Sequence, residues 1–584
     1  MQSICKVISM LFAIIIMWGY VLGCSGGVAN ARCEGICLTG INPALNQALG
    51  SPLPAQLMKK PEQSPGISQE GKLQAATNAP AVYQGKPGWA RTWGGISDSI
   101  DTGKSVAVDI LGNVYVTGGF YGKVAFDTSK NTGKKAARVR AIEAVGEADC
   151  FLSKFDANGE FQWAKTWGAY ATDYGNDVAC DSGGNVYVTG YFYGNVDFDP
   201  DPNKSDMHQS NGDKDIFLSK FDKDGNHLWT RTWGGPSEDE ADSVAAKGLN
   251  EICVTGFFRS GGNNTPVDFD PGAGFDKHIS AGKEDAFVTM FNSEGDHLGV
   301  KTWGGADDDC GYGVAIDKGG NIYVAGGYFS EGLDFSCGQL PGGWRKGFGG
   351  GCDAYLSKFS PSMDFMWAQS WGALGHDYCS SVTVDRDGEY VYVTGIFWQT
   401  VDFSARQRGV APAERTAQGE CDAFVSQFKS NGIFDWVRTF DGAESEWGSG
   451  VAVTRDGYIY VTGCFEGNTE FTPGGASHSF ISAGDSDAFL TKFDKNGGYI
   501  WTRVIGGIAR DNGLGVTADP IGGAYVVGYF GGEVDFAPTG ADIHKARGLA
   551  DIFLCSFPPD GNWTAKIEIS PEMKVFVKKS AGKQ

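Results

Sequence analysis

Residues 105–118 read SVAVDILGNVYVTG, and residues 149–168 read DCFLSKFDANGEFQWAKTWG. Two strand-like runs, Ser105–Asp109 and Val114–Gly118, flank Asp109-Ile110-Leu111-Gly112-Asn113. Two more, Cys150–Phe155 and Phe161–Trp167, flank Asp156-Ala157-Asn158-Gly159. Alternating β-branched and aromatic residues suit a pleated, half-buried surface. Asp opens a type I turn and Gly takes the left-handed position, so both connections predict tight hairpins. The stretch is one four-stranded meander.

It recurs. The Trp93 position returns as Trp167, Trp233, Trp303, Trp371, Phe440 and Ile505, at spacings of 74, 66, 70, 68, 69 and 65 residues. Some 25–30 residues separate the second and third strands, which absorbs the length beyond a plain meander. Successive four-stranded units predict an all-β, seven-bladed β-propeller of four-stranded antiparallel blades. The Ala/Val strand would be the inner one and the Trp strand the outer edge. The Trp strand occurs eight times, at Trp89, Trp163, Trp229, Gly299, Trp367, Trp436, Trp501 and Trp563, so one copy is spare. Trp89–Trp93 keeps the full TWGG continuation and is expected to supply the outer strand of blade seven. The rival arrangement puts Trp563 there.

The phrases VAVDxxGNVYVTG, VDFD and DAFLSKFDxxGxxxW resemble the SBBP β-propeller repeat family, and the first half is similar to NHL-repeat blades. The resemblance covers roughly residues 83–565. It implies the fold. It implies little about activity, because that family is defined by its fold.

Outside the repeats, Val7 to Leu22 is apolar, follows Lys6 and ends Leu22-Gly23-Cys24-Ser25. It reads as a secretory segment resembling a bacterial lipobox, with Cys24 as the lipidated residue and plain cleavage as the alternative. Residues 1–24 would then be a signal, 25–82 a flexible Pro/Gln/Ala-rich linker, 83–565 the propeller, and 566–584 a basic tail with room for one hairpin. The expected location is extracytoplasmic, at a bacterial cell envelope. The formal net charge is −22. Residues 1–82 carry +2 and 566–584 carry +3, which leaves −27 on the propeller. So acidic a surface repels phosphate backbones and argues against nucleic acid as a partner.

Two acidic positions repeat in every blade. The first is Asp101, Asp173, Asp239, Asp309, Asp377, Glu446 and Asp511; the second is Asp149, Asp215, Asp285, Asp353, Asp422, Asp487 and Asp551. The first set could form a crown of oxygens for a hard cation such as calcium, the only cofactor these residues suggest. Alternatively each carboxylate accepts backbone N–H groups, the usual work of a fixed-position Asp. Asp197, Asp199 and Asp201 crowd one loop, echoed by Asp268 and Asp270. They read either as a calcium loop without the Gly and Glu of an EF-hand or as a solvated acidic turn.

Catalysis leaves little trace. GxSxG, HExxH and phosphate-loop motifs are absent, and the seven His have no repeated context; His376 beside Asp377 is the one tempting pair. The clearest break in symmetry is the blade-four loop from Cys337 to Cys352, with Trp344, Arg345 and Lys346 as an aromatic and basic recognition tip. In an exported chain Cys337–Cys352 and Cys33–Cys37 are the local disulfide candidates. The expected function is a binding or scaffolding module for an envelope protein or glycan, touching the membrane through its lipid only. A polysaccharide hydrolase or lyase and a purely structural component are the alternatives.

Overall fold

The structure, a computed structural model, describes residues 87–127, 141–248, 251–336, 343–348, 350–472, 478–537 and 542–563. The expected signal segment, linker and basic tail lie outside them.

Seven four-stranded antiparallel meanders follow one another. From the inside outward, blade 1 comprises Thr102–Val108, Val114–Val124, Ile142–Phe155 and Phe161–Trp167. Blades 2 to 6 repeat this order from inner strands Tyr174–Cys180, Glu240–Lys247, Asp309–Ile316, Tyr378–Val384 and Glu446–Val453. Blade 7 comprises Asp511–Ala518, Ala524–Phe530 and Asp551–Phe557, and its outer strand is Trp89–Trp93. Trp89 lies opposite Ser556 and Trp93 opposite Ile552. The ring therefore closes with the first of the described strands. Trp563 adds no strand; its ring packs on Phe557 at 5.3 Å.

The repeated phrases are explained by where each residue goes. Asp109 accepts the N–H groups of Leu111 and Asn113, while Asn113 Nδ2 and the Tyr115 hydroxyl donate to its other oxygen. Gly112 turns the corner at φ 82°. Asp181 and Asp317 make the same set with Asn185/Tyr187 and Asn321/Tyr323. The Lys of each SKF phrase lies over that Tyr and reaches the next blade: Lys154 Nζ is 5.1 Å from the Tyr115 ring and 2.6 Å from the carbonyl of Lys223. Where an outer strand carries Trp at this position, the ring packs on the following blade, as in Trp93–Phe155 (5.2 Å), Trp167–Phe221 (5.3 Å) and Trp371–Phe428 (5.3 Å). Seven apolar clusters result, each spanning two neighbouring blades, including blades 7 and 1. The extra length after each second strand folds as a peripheral hairpin, for example Thr400–Asp402 with Glu414–Thr416.

Nine described cysteines are free thiols, eight of them buried. They behave as small apolar residues of the interblade cores, such as Cys253, Cys379 and Cys555. Cys352 is among them, buried just before the third strand. Cys337, Cys33 and Cys37 lie outside the described residues. Alkylation of the folded chain followed by mass spectrometry should leave the eight buried thiols unmodified, and denaturant without reductant should expose them. A disulfide-linked peptide among them would overturn the assignment.

Candidate binding site

The first acidic ring is wholly buried, each member 0% exposed. Its carboxylates do not converge on one point; each clamps backbone of its own surroundings. Asp101 accepts Gly95 N–H and Tyr121 N–H, both at 2.7 Å. Asp173 takes Ala169 and Tyr193, Asp239 takes Gly235 and Arg259, Asp377 takes Ala373 and Trp398, and Asp511 takes Gly507 and Gly531. Asp309 holds Gly305 N–H and the Ser330 hydroxyl, and Glu446 holds the Thr469 hydroxyl. One bond grips the connection arriving from the preceding blade and the other grips the end of the second strand. The second ring does the same for the chain before the third strand, through Asn211 N–H on Asp215 and Ala281 N–H on Asp285. His376, beside Asp377, packs on Phe329 at 5.6 Å and Trp398 at 5.9 Å and makes no ion pair with its neighbour among the described residues.

The acidic loop of blade 2 is a chain of turns. Asp197 accepts the N–H of Asp199 and Asp206, Asp199 that of Asp201, and Asp201 that of Asn203. No three His, Cys, Asp or Glu side chains gather in metal-holding geometry among the described residues. This rim also revises the reading of the histidines. His208, His278 and His544 occupy one equivalent hairpin position, each with Nδ1 on the outer-strand Thr232, Thr302 or Thr92 at 2.7–2.9 Å. Nε2 of each faces Asp206, Asp276 or Asp542 at 3.2–3.3 Å. The signal was an Asp-x-His spacing present in three of the seven units.

The blade-four segment is a short strand, Trp344–Lys346, paired with Gly332–Asp334. Arg345 is half-buried and donates from Nε to the Ala368 carbonyl at 3.0 Å, so it braces the outer strand instead of standing on an exposed tip. Its remaining surface helps line a cleft of about 600 Å³ between blades 4 and 5, with Gln369, Gln407, Arg408, Val410 and Asn431. None of the lining residues is acidic. Gln407 pins the cleft wall, donating to the Gly432 carbonyl at 2.8 Å and accepting Phe434 N–H at 3.0 Å. Ala405 and Arg406 hold left-handed backbone at φ 53° and 51°, a cost of about 1–3 kcal/mol each that the surrounding turns sustain. Arg408 is exposed and makes no ion pair among the described residues. Two guanidiniums and three amides in a fixed concavity suit an anion with hydrogen-bonding neighbours.

Residues 89–118 match the SBBP beta-propeller repeat. An uncharacterized WD repeat-containing protein, L264, of Acanthamoeba polyphaga mimivirus is 21% identical over 482 residues, 70% of this chain and 34% of that protein. The regulatory protein FlaEY of Caulobacter vibrioides is 29% identical over 164 residues, 28% of this chain and 16% of that protein. The chain thus spans about a third and about a sixth of these relatives. Among solved structures, Kuenenia stuttgartiensis hydrazine synthase overlaps 74% of this chain and 94% of its own at 10% identity and a TM-score of 0.35.

Proposed function

Because the chain is an SBBP-type β-propeller repeat protein, we propose that it is an exported, lipid-anchored binding module of a bacterial cell envelope that holds an acidic polysaccharide in the cleft between blades 4 and 5. One observation carries this reading. In a segment of net charge −27, this cleft brings Arg345 and Arg408 together with amides and no carboxylate. The surrounding negative field does not forbid an anionic ligand. At physiological salt the screening length is about 8 Å, so distant carboxylates are damped while contacting guanidiniums act at full strength.

The test is titration of the full chain with polygalacturonate, alginate and neutral dextran. The uronate polymers should bind and dextran should not, and Arg408→Glu should weaken binding at least about tenfold with an unchanged melting temperature. Shortened chains or unsaturated ends would instead support the hydrolase or lyase reading. Absence of binding by all three polymers would leave a structural component.

A further inference from the structure

The inner strands carry a β-bulge in every blade, between Gly103 and Ser105, Gly175 and Asp177, Ala241 and Ser243, and at the equivalent places onward. Neighbouring inner strands are tightly apposed just beyond it. A Cβ on Gly515 would stand 2.9 Å from the Lys104 carbonyl, and one on Gly313 would stand 3.1 Å from Val382 N. The side chains at that level are small. Asp177 is the exception, and it is saturated by the hydroxyls of Ser105 and Ser243 and the N–H groups of Val178 and Val244.

The bulged residue itself varies with the blade: Lys104, Asn176, Asp242, Tyr312, Ser380, Ser449, Leu514. All seven are partly water-accessible, although the inner strands surround them. The variation is ordered. Among the bulge residues the charges are Lys104 of blade 1 and Asp242 of blade 3, and the ring is Tyr312 of blade 4. Two positions before the bulge, Tyr174 of blade 2, Tyr378 of blade 5 and Trp447 of blade 6 add further rings, with Tyr312 and Tyr378 5.7 Å apart and Trp447 half-buried. On the charged side Glu240 is compensated by Lys214 at 2.5 Å and Asn176 at 2.8 Å. Lys104 and Asp242 have no such contact. Lys104 feels Glu240 first and Asp242 second, and Asp242 feels Lys214 before Lys104. Yet neither makes an ion pair within 4.0 Å, and no protein donor reaches the buried Asp242 Oδ2 among the described residues. Lys104 Nζ instead stands 5.8 Å over the Tyr174 ring.

A buried charge requires an opposite charge or a full set of hydrogen bonds. A ligand of one sign would satisfy one of these two residues and leave the other, and a neutral polyol would neutralise neither. We propose that this level of the central channel binds a free α-amino acid, its ammonium group on Asp242, its carboxylate on Lys104 and its side chain toward Tyr312, Tyr378 and Trp447. An apolar wall with a few convergent polar groups is the ordinary make-up of a small-molecule site. This site is separate from the rim cleft and stands whether or not the cleft takes a polysaccharide.

Calorimetric titration of the full chain with L-leucine and L-phenylalanine tests the assignment. At least one should bind with Kd below about 1 mM. Leucinamide and N-acetyl-leucine, each lacking one charge, should bind at least about thirtyfold more weakly than leucine, and Asp242→Asn and Lys104→Met should weaken leucine by a similar factor. Since either variant leaves its partner charge alone, the double variant Lys104→Met/Asp242→Leu is the folding control. It should melt near the parent and bind no amino acid. Arg408→Glu should leave amino-acid binding unchanged. Failure of both amino acids to bind, equal binding of the amide, or retained binding in the double variant would each overturn the proposal.

Discussion

Trp93→Ala is expected to lower the melting temperature by about 5–10 °C, and removal of residues 87–95 to abolish the parent transition. Trp93 is 0% exposed and sits in the cluster between blades 7 and 1, beside Phe155, Val116 and Leu554. Truncating a buried Trp costs about 3–5 kcal/mol, a large share of the 5–15 kcal/mol that holds a domain together. Deleting the strand loses more. It strips the ladder from Trp89–Ser556 to Trp93–Ile552 and the hold of Arg91 Nε on the Gly159 carbonyl at 2.7 Å. It also leaves the third strand of blade 7 as an open edge. Trp563→Ala is the comparison. That ring is only partly buried on Phe557, and its loss should cost about 1–2 kcal/mol. Calorimetry on the three variants decides; similar losses for Trp93→Ala and Trp563→Ala would mean that the N-terminal strand does not close the ring.

Stability should fall by several kcal/mol between pH 5 and pH 8. Burial pushes Asp101 up to about 6, Asp173, Asp309, Asp377 and Asp511 up to about 7, and Glu446 up to about 9. Burial likewise lifts Asp215, Asp285 and Asp353 to about 7. Each first-ring carboxyl is also raised by, or raises, the second-ring carboxyl of the blade before it, as in Asp173 with Asp149 and Asp353 with Asp377. A Cβ on Gly372 would collide with Asp353 while standing 3.1 Å from Asp377 Oδ2, so these two acids lie side by side. Asp149, Asp215, Asp285, Asp353 and Asp487 each keep one buried oxygen without a protein donor, a place for a retained proton.

A carboxyl with a raised folded value binds protons that the unfolded chain, titrating near 4, has released. Its stabilisation is complete below about 4 and is lost as pH rises through about 6–7. Each tenfold tightening of proton binding in the folded chain is worth about 1.4 kcal/mol, so two or three pairs suffice for the expected drop. Asp206, Asp317 and Asp402 lean the other way: their hydrogen bonds outweigh burial and hold them low, so their contribution is lost in acid. An optimum near pH 5 follows. Urea midpoints across pH 4–9 measure it, and a curve still rising at pH 8 would show the pairs ionised in the folded protein. Glu446→Gln should narrow the drop, because its amide can donate where Oε2 has no partner.

The ring and its closure are legible because Trp89–Trp93 is a spare copy of a phrase that every blade needs. The carboxylate rings are legible as positions, and their bracing role needs only the known preference of Asp for backbone N–H. Other features are hidden for identifiable reasons. His208, His278 and His544 bond a Thr 24 residues later, or in the blade 7 case at the other end of the chain, so a local reading meets isolated residues. Arg345 reads as a loop tip because its hairpin partner lies across a long insertion. The bulge residues, Lys104 to Leu514, are easily passed over because repeat reading rewards sameness, and there the departures from the pattern carry the information.

Closure by the first strand also orders events in time. Trp89–Trp93 is synthesised before any of the seven inner strands, and its partner Asp551–Phe557 follows some 460 residues later. At about 5–20 residues per second the N-terminal strand waits roughly 20–90 s for its pair. Over that interval six blades can assemble as an open arc, and no locked ring can form before Asp551–Phe557 has been made. A nascent chain of this design stays threadable until blade 7 has left the ribosome.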